Sequence, residues 1–216
     1  DMGTGGVMIA IILAMLWASG MQAKYFGVVF GVLLVGGLLA VVTSPHRMER
    51  VRTYLSGEEA DADSSYHIDN AMLAIGTGGM FGVGLGNSVQ ATGYLPESIN
   101  DSVFAIMGET FGFLGLLAIL VAFLILLMNI LKVAGEVDEE EELIAVGVFA
   151  WIGTHVVVNI AAMTGLIPLT GITLPLLSYG GTSMIFIAYA VGMVGQMSCY
   201  TKRRTAGREV YRRRKV

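Results

Sequence analysis

The 216-residue sequence is 55% hydrophobic and only 14% charged, with a mean hydropathy of +0.71. These values exclude a disordered chain and argue against an ordinary soluble domain. They predict an all-α, polytopic bundle of transmembrane helices. The net charge of −4 averages two unlike regions, because eight of the 13 Lys and Arg fall between Lys202 and Lys215. A single cysteine, Cys199, excludes a disulfide framework and a cysteine-based metal site. The chain starts at Asp1 with no basic segment before its first apolar run. It therefore reads as neither a signal peptide nor a natural start, but as a piece of a longer membrane protein.

In chain order, residues 1–24 carry no charge between Asp1 and Lys24 and leave room for a first span. Residues 25–43 are uncharged and rich in Val, Leu and Gly, which predicts a second. Residues 72–89 form a marginal, glycine-rich third, and residues 102–131 form the strongest, interrupted only by Glu109. The 59 residues 143–201 contain no Asp, Glu, Lys or Arg. A span takes ~20 residues, so this stretch holds two, broken at 168–175 by Pro168 and Pro175. Six spans follow, in one membrane domain over 1–201 with a basic tail over 202–216.

Six spans place both ends on one side. The tail, Arg47, Arg50, Arg52 and Lys132 then share a face, with Lys24 alone opposite. The excess of positive charge makes that face, and the C-terminus, cytoplasmic. Residues 22–24, 90–101 and 164–181 are expected outside. The acidic run Glu136, Asp138 to Glu142 reads as a solvated cytoplasmic linker, and the basic tail as a topology determinant or a contact for anionic lipid.

Few residues remain that can carry chemistry. Gly76, Gly78, Gly79, Gly82, Gly84 and Gly86 superficially match a nucleotide loop but lack the βαβ frame it needs. Gly78/Gly82 and Gly82/Gly86 suit close backbone packing, and so many glycines also permit a broken span beside a cavity. Asp101 precedes the strongest span, so Asp101, Asn100 or Ser102 could cap that helix, or Asp101 could take a proton at the outer surface. Glu97 lies four residues earlier, after Pro96. Glu109 falls ~12 Å further along the helix than Asp101, where a structural hydrogen bond or a substrate role would justify a buried acid. His155 and Asn159 share a helix face and suit interhelical polar contacts. Ser178 and Tyr179 end an outward loop that is apolar, yet rich in Pro and Gly. Gly180, Gly181, Thr182 and Ser183 open the last span, where free N–H groups could start a turn or hold an anion.

The final segment resembles the SEDS family (shape, elongation, division and sporulation), typified by FtsW, RodA and SpoVE. The resemblance is carried by Asn159, Gly165-Leu166, Pro168, Gly171-Ile172 and Ser178-Tyr179-Gly180-Gly181-Thr182-Ser183. The pattern Leu95-Pro96-Glu97, Asp101, Phe104-Ala105 is similar to another family segment. Tyr66-His67, the run from Gly76 to Gly86, Gly108-Glu109 and Asp1-Met2-Gly3-Thr4 fit around these two. Two positions depart from the family pattern: Asn100 stands for its Thr, and Ser102 for a bulky Phe.

The resemblance implies ten spans in the whole protein, of which these are the last six. It implies an inverting, metal-assisted glycosyltransferase that polymerises lipid II into glycan strands at the outer face of the bacterial cytoplasmic membrane, in division or elongation. A class B penicillin-binding transpeptidase is the implied partner, and Asp101 the essential carboxylate. Glu97, Pro96, Glu109, Asn159, Ser178, Gly180, Gly181, Thr182 and Ser183 would support the site or bind substrate. A sugar hydroxyl must lose a proton as it attacks, while a lipid pyrophosphate leaves as an anion, so one base suffices. Positive groups or a divalent cation, Mg or Mn, are expected at the pyrophosphate. No nucleotide cofactor and no nucleic acid partner are expected. The rival readings are a lipid II flippase and a non-catalytic scaffold of the division or elongation machinery.

Overall fold

The computed structural model describes residues 2–44, 48, 62–88 and 100–213. These residues form helices α1 (Met2–Ala18), α2 (Ala23–Val42), α3 (Ala62–Gly78), α4 (Val103–Ala134), α5 (Glu139–Met163) and α6 (Gly181–Arg213). Among the described residues there is no strand. Four helices are long and apolar enough to cross a membrane: α2, α4, α5 and the Gly181–Tyr200 part of α6. The apolar Gly3–Ala18 of α1 is shorter. In hydrocarbon a helix satisfies its own backbone groups, which is why these uncharged runs fold as they do.

Gly3 packs against Ile172 and the Thr170 carbonyl beyond the end of α5, whereas Ile11 and Met15 lie against Gly147 near its start. Helix α1 therefore runs antiparallel to α5. A short turn brings α2 back beside it, with the Trp17 and Phe26 rings 5.2 Å apart. The core of the bundle is Leu116, Phe123 and Ile130 of α4 against Ala145, Val148, Ile152 and Val156 of α5, closed by Ile187, Ala190 and Val194 of α6. One end gathers the start of α1, the start of α4, the end of α5 and the start of α6. The other end holds the turn before Lys24, the α4–α5 connection and the far end of α6.

This arrangement changes the expected topology at three places. The third predicted span is not a helix over 72–89. Helix α3 stops at Gly78, and 79–88 is non-helical. His67 near the start of α3 touches Ser102, while Gly78 at its end touches Gly108 and Glu109. The chain thus enters the bundle from one end, turns within it, and is back at the same end by Asn100. Five helices then run end to end, and the turn at 22–24 lies opposite the start of α4 instead of beside it. The acidic run is also more ordered than a linker, because Glu139, Glu140, Glu141 and Glu142 form the first turn of α5. Carboxylates at a helix N-terminus are stabilised by the unpaired N–H groups there. Beyond Tyr200, the segment from Lys202 continues α6 as far as Arg213.

The turn within the bundle is held by a backbone exchange. Helix α4 is interrupted at Gly112, which has φ 68° and ψ −169°. In an unbroken helix, the Glu109 and Thr110 carbonyls would accept from the Phe113 and Leu114 N–H groups. Instead they accept from Val83 N–H at 2.9 Å and Gly84 N–H at 3.1 Å. Phe113 and Leu114 in turn donate to the Gly79 and Met80 carbonyls at 2.8 and 3.2 Å. Each break supplies what the other lacks, which is what allows irregular backbone at this depth. A Cβ on Gly78 would overlap the Gly108 carbonyl, and one on Gly82 the Thr110 carbonyl. The expectation of close backbone packing holds for these two, whereas Gly86 has no neighbour within 4 Å of its Cβ direction.

Candidate functional site

Asp101 sits one residue before the N-cap of α4 and is 9% exposed. Its carbonyl accepts from Asn159 Nδ2 at 2.7 Å, and the same nitrogen donates to the Ile172 carbonyl at 2.7 Å. Both partners are acceptors only, so the amide nitrogen must face them, which fixes the orientation of the Asn159 side chain. Asn159 is fully buried near the end of α5 and ties the start of α4 to the loop after α5. Its Oδ1 points elsewhere and, like Thr170 Oγ1, is buried with no hydrogen-bond partner.

That loop is shaped by its own side chains. Ser178 Oγ accepts from Leu174 N–H at 2.9 Å, and the Ser178 N–H donates to the Leu174 carbonyl at 3.0 Å. The pair closes a turn around Pro175, with Leu176 at φ 63°. The Gly180 carbonyl accepts from Met184 N–H at 2.8 Å as α6 begins. Gly181, Thr182 and Ser183 are exposed on that first turn, as is Tyr179.

Asp101 and Asn159 are thus brought together through a backbone atom, while Ser178 closes the turn at Leu174 in the same loop, and Gly180, Gly181, Thr182 and Ser183 follow it into α6. Pro96 and Glu97 lie outside the described residues. Glu109 is separate from Asp101. It is 2% exposed, and its Oε2 accepts a hydrogen bond from Ser88 Oγ at the turn within the bundle. That is the structural hydrogen bond expected for an acid at such depth. His155 does not make the interhelical contact that its spacing from Asn159 predicts. Its Nδ1 bonds the Trp151 carbonyl of its own helix at 2.9 Å.

Two pairings in this region escape sequence reasoning. Ser102 occupies the N-cap of α4 but makes no side-chain capping bond. Its hydroxyl lies 2.5 Å from His67 Nε2 and 3.4 Å from Asp101 Oδ1. His67 and Ser102 are 35 residues apart and both buried. In the sequence both residues are visible, His67 within Tyr66-His67 and Ser102 as a cap candidate that replaces an aromatic, but nothing there pairs them. Ser88, the partner of Glu109, carries no signal of its own.

The chain matches the family model for FtsW, RodA and SpoVE, described as a cell cycle protein, over residues 1–203. It is 40% identical over 204 residues to stage V sporulation protein E of Bacillus subtilis (strain 168), covering 94% of this chain and 56% of that protein. It is 36% identical over 198 residues to a probable peptidoglycan glycosyltransferase FtsW of Francisella salina, covering 90% and 49%. A chain in a solved peptidoglycan synthase complex has the same fold, with a TM-score of 0.65 at 24% identity, over 91% of this chain and 55% of that one. The chain spans about half the length of the curated relatives it matches. It belongs to the FtsW/RodA/SpoVE family of cell cycle proteins.

Proposed function

We propose that this membrane protein is a peptidoglycan glycosyltransferase that polymerises lipid II at the outer face of the cytoplasmic membrane, with Asp101 as the general base. The observation that carries this reading is the placement of Asp101. It is a carboxylate at the start of a membrane helix, anchored through its own carbonyl by Asn159, at the end of the bundle opposite the basic tail. Among the described residues, Lys24, Lys132 and the tail as far as Arg213 put eight Lys and Arg at that tail end. Arg47, Arg50 and Arg52, expected on the tail's face, lie outside the described residues. This excess of positive charge supports a cytoplasmic tail with Asp101 outside.

Asp101 accepts the proton of the attacking sugar hydroxyl as the new glycosidic bond forms at the donor's anomeric carbon. The lipid pyrophosphate departs from the opposite side, which inverts that carbon. Asn159 holds the Asp101 backbone against the loop after α5, so the carboxylate does not drift as substrates exchange. The exposed first turn of α6 is the natural wall for the donor. Among the described residues no three His, Cys, Asp or Glu side chains lie close enough to hold a metal ion. The Asp101 carboxylate would be the residue to hold a divalent cation that otherwise keeps its own waters. When bound, it would neutralise the departing charge. A class B penicillin-binding transpeptidase is the proposed partner; the solved complex of the same fold couples polymerization to crosslinking.

The test is Asp101→Asn in the full-length protein, assayed on lipid II. The glycan polymer should fall by about 100-fold or more, as for loss of a general base, with thermal stability retained. A variant that still polymerises would overturn the base assignment. Wild-type protein that moves labelled lipid II between leaflets without making polymer would establish the transport reading. Cells that grow normally on Asp101→Asn would establish the scaffold reading. Removing divalent cations with a chelator should slow the wild-type polymerisation.

A further inference from the structure

We propose that a cavity between α4 and α6, at the tail end of the bundle, binds a phospholipid whose headgroup carries both a phosphate and a primary ammonium, as phosphatidylethanolamine does. The cavity measures about 300 Å³, which is at the lower end of the range for small-molecule sites. It lies at the opposite end of the bundle from Asp101, and the inference does not depend on the role of that residue.

Helices α4 and α6 both run from the Asp101 end towards the tail end, so position along the chain gives depth. Leu126, Val191 and Val194 line the inner part of the cavity, and Val194 is buried. Lys132, Glu136 and Ser198 line the mouth. An apolar wall below a charged mouth matches a lipid, with its glycerol and acyl chains inside and its headgroup at the surface. Gly195 also lines the α6 side, and nothing lies within 4 Å of its Cβ direction. The missing side chain keeps the cavity open.

The charges select the headgroup. Lys132 is in the last turn of α4, and Glu136 lies just past the C-cap, Gly135. Both are exposed and both line the cavity, yet among the described residues no ion pair joins them. A Lys four residues before a Glu is the weaker order for such a pair, and here the helix ends between them. Two opposite charges that share a cavity without meeting suit a ligand with the complementary two. The phosphate accepts from Lys132 Nζ, with the Ser198 hydroxyl as a further donor from α6, and the ammonium donates to the Glu136 carboxylate. Their order fits as well. In such a lipid the phosphate is next to the glycerol and the amine further out, just as Lys132 lies deeper than Glu136. Basic pockets between membrane helices hold anionic headgroups, but a headgroup with only negative charge would here face Glu136.

The experiment is native mass spectrometry of the full-length protein, purified in detergent and titrated with dioleoylphosphatidylethanolamine or dioleoylphosphatidylglycerol. The first lipid should bind about fivefold more tightly than the second, and Lys132→Gln should weaken both by about fivefold. Glu136→Gln should remove the preference between them. Lys132→Glu combined with Glu136→Lys keeps the net charge but reverses the order of the two groups, so it should weaken phosphatidylethanolamine as Lys132→Gln does. Gly195→Leu fills the cavity without touching either charge and should abolish the tight binding, with thermal unfolding as the check on its fold. Phosphatidylglycerol bound as tightly as phosphatidylethanolamine would overturn the proposal. So would a wild-type preference in Glu136→Gln, wild-type affinity in the exchanged pair, or wild-type binding in a folded Gly195→Leu. The charge variants change exposed side chains, so they decide the matter even if Gly195→Leu folds poorly.

Discussion

Among the described residues, irregular backbone enters this bundle at two places, and they are satisfied by different means. At Gly112 and the 79–84 turn, backbone meets backbone through four exchanged hydrogen bonds. In the loop after α5, side chains provide the partners: Asn159 for Asp101 and Ile172, and Ser178 for Leu174. Buried peptide groups need partners in both cases. The first solution demands the absence of side chains, since backbone must approach backbone, and the second demands particular ones. The glycine-based region is therefore sensitive to any added atom, the loop to loss of a specific amide or hydroxyl.

The largest effect that would sharpen this contrast is expected from Gly112→Ala. Its φ and ψ are tolerated essentially only by glycine, and the new Cβ would overlap the Gly82 nitrogen. A loss of about 3 kcal/mol or more is expected, measured as thermal unfolding of the purified full-length protein in detergent. Unchanged stability would mean that the exchange at Gly112 does not hold the turn.

Asn159→Leu should come next. It preserves bulk but leaves the Asp101 and Ile172 carbonyls without their amide donor. Two unpaired buried acceptors correspond to about 2–5 kcal/mol. Polymerisation should fall further than stability predicts, because the backbone of the base loses its anchor. Equal stability and activity to wild type would remove the tie between α4 and the loop.

The smallest effect divides two glycines of one helix. Gly76→Ala meets nothing within 4 Å and should stabilise α3 by about 0.5–1 kcal/mol. Gly78→Ala, two residues later, meets the Gly108 carbonyl and should destabilise. If both changed stability in the same direction, close approach would not be what selects glycine at 78.

How much of this was legible follows from which forces are local. The apolar runs of α2, α4, α5 and α6 are visible as sequence because hydrocarbon burial requires long uncharged helices. The break at 168–175 is visible because proline has no N–H and disfavours helix in the residue before it. The third span was misplaced because the apolar residues and glycines of 72–88 read alike whether a helix crosses or turns back. Only the carbonyls of Glu109 and Thr110, more than twenty residues on, distinguish the two. Counting that segment as a crossing also puts the turn at 22–24 at the same end as the start of α4, where the structure has it opposite. Asp101 and Asn159 were legible as candidates by residue type and neighbourhood, but nothing local predicts that one binds the backbone of the other.

By itself the sequence determined an all-α membrane bundle, the basic tail, the loop bearing Asp101 and the family to which the chain is similar. These follow from hydropathy, charge placement and short motifs, all of which act over a few turns of chain. Only the tertiary structure decided that α3 turns back within the bundle, that Glu109 pairs with Ser88, and that Ser102 lies between Asp101 and His67. Those outcomes depend on which buried polar groups meet across 20 to 60 residues of separation. In a membrane interior a polar group without a partner is costly, and which partner it finds is chosen by packing.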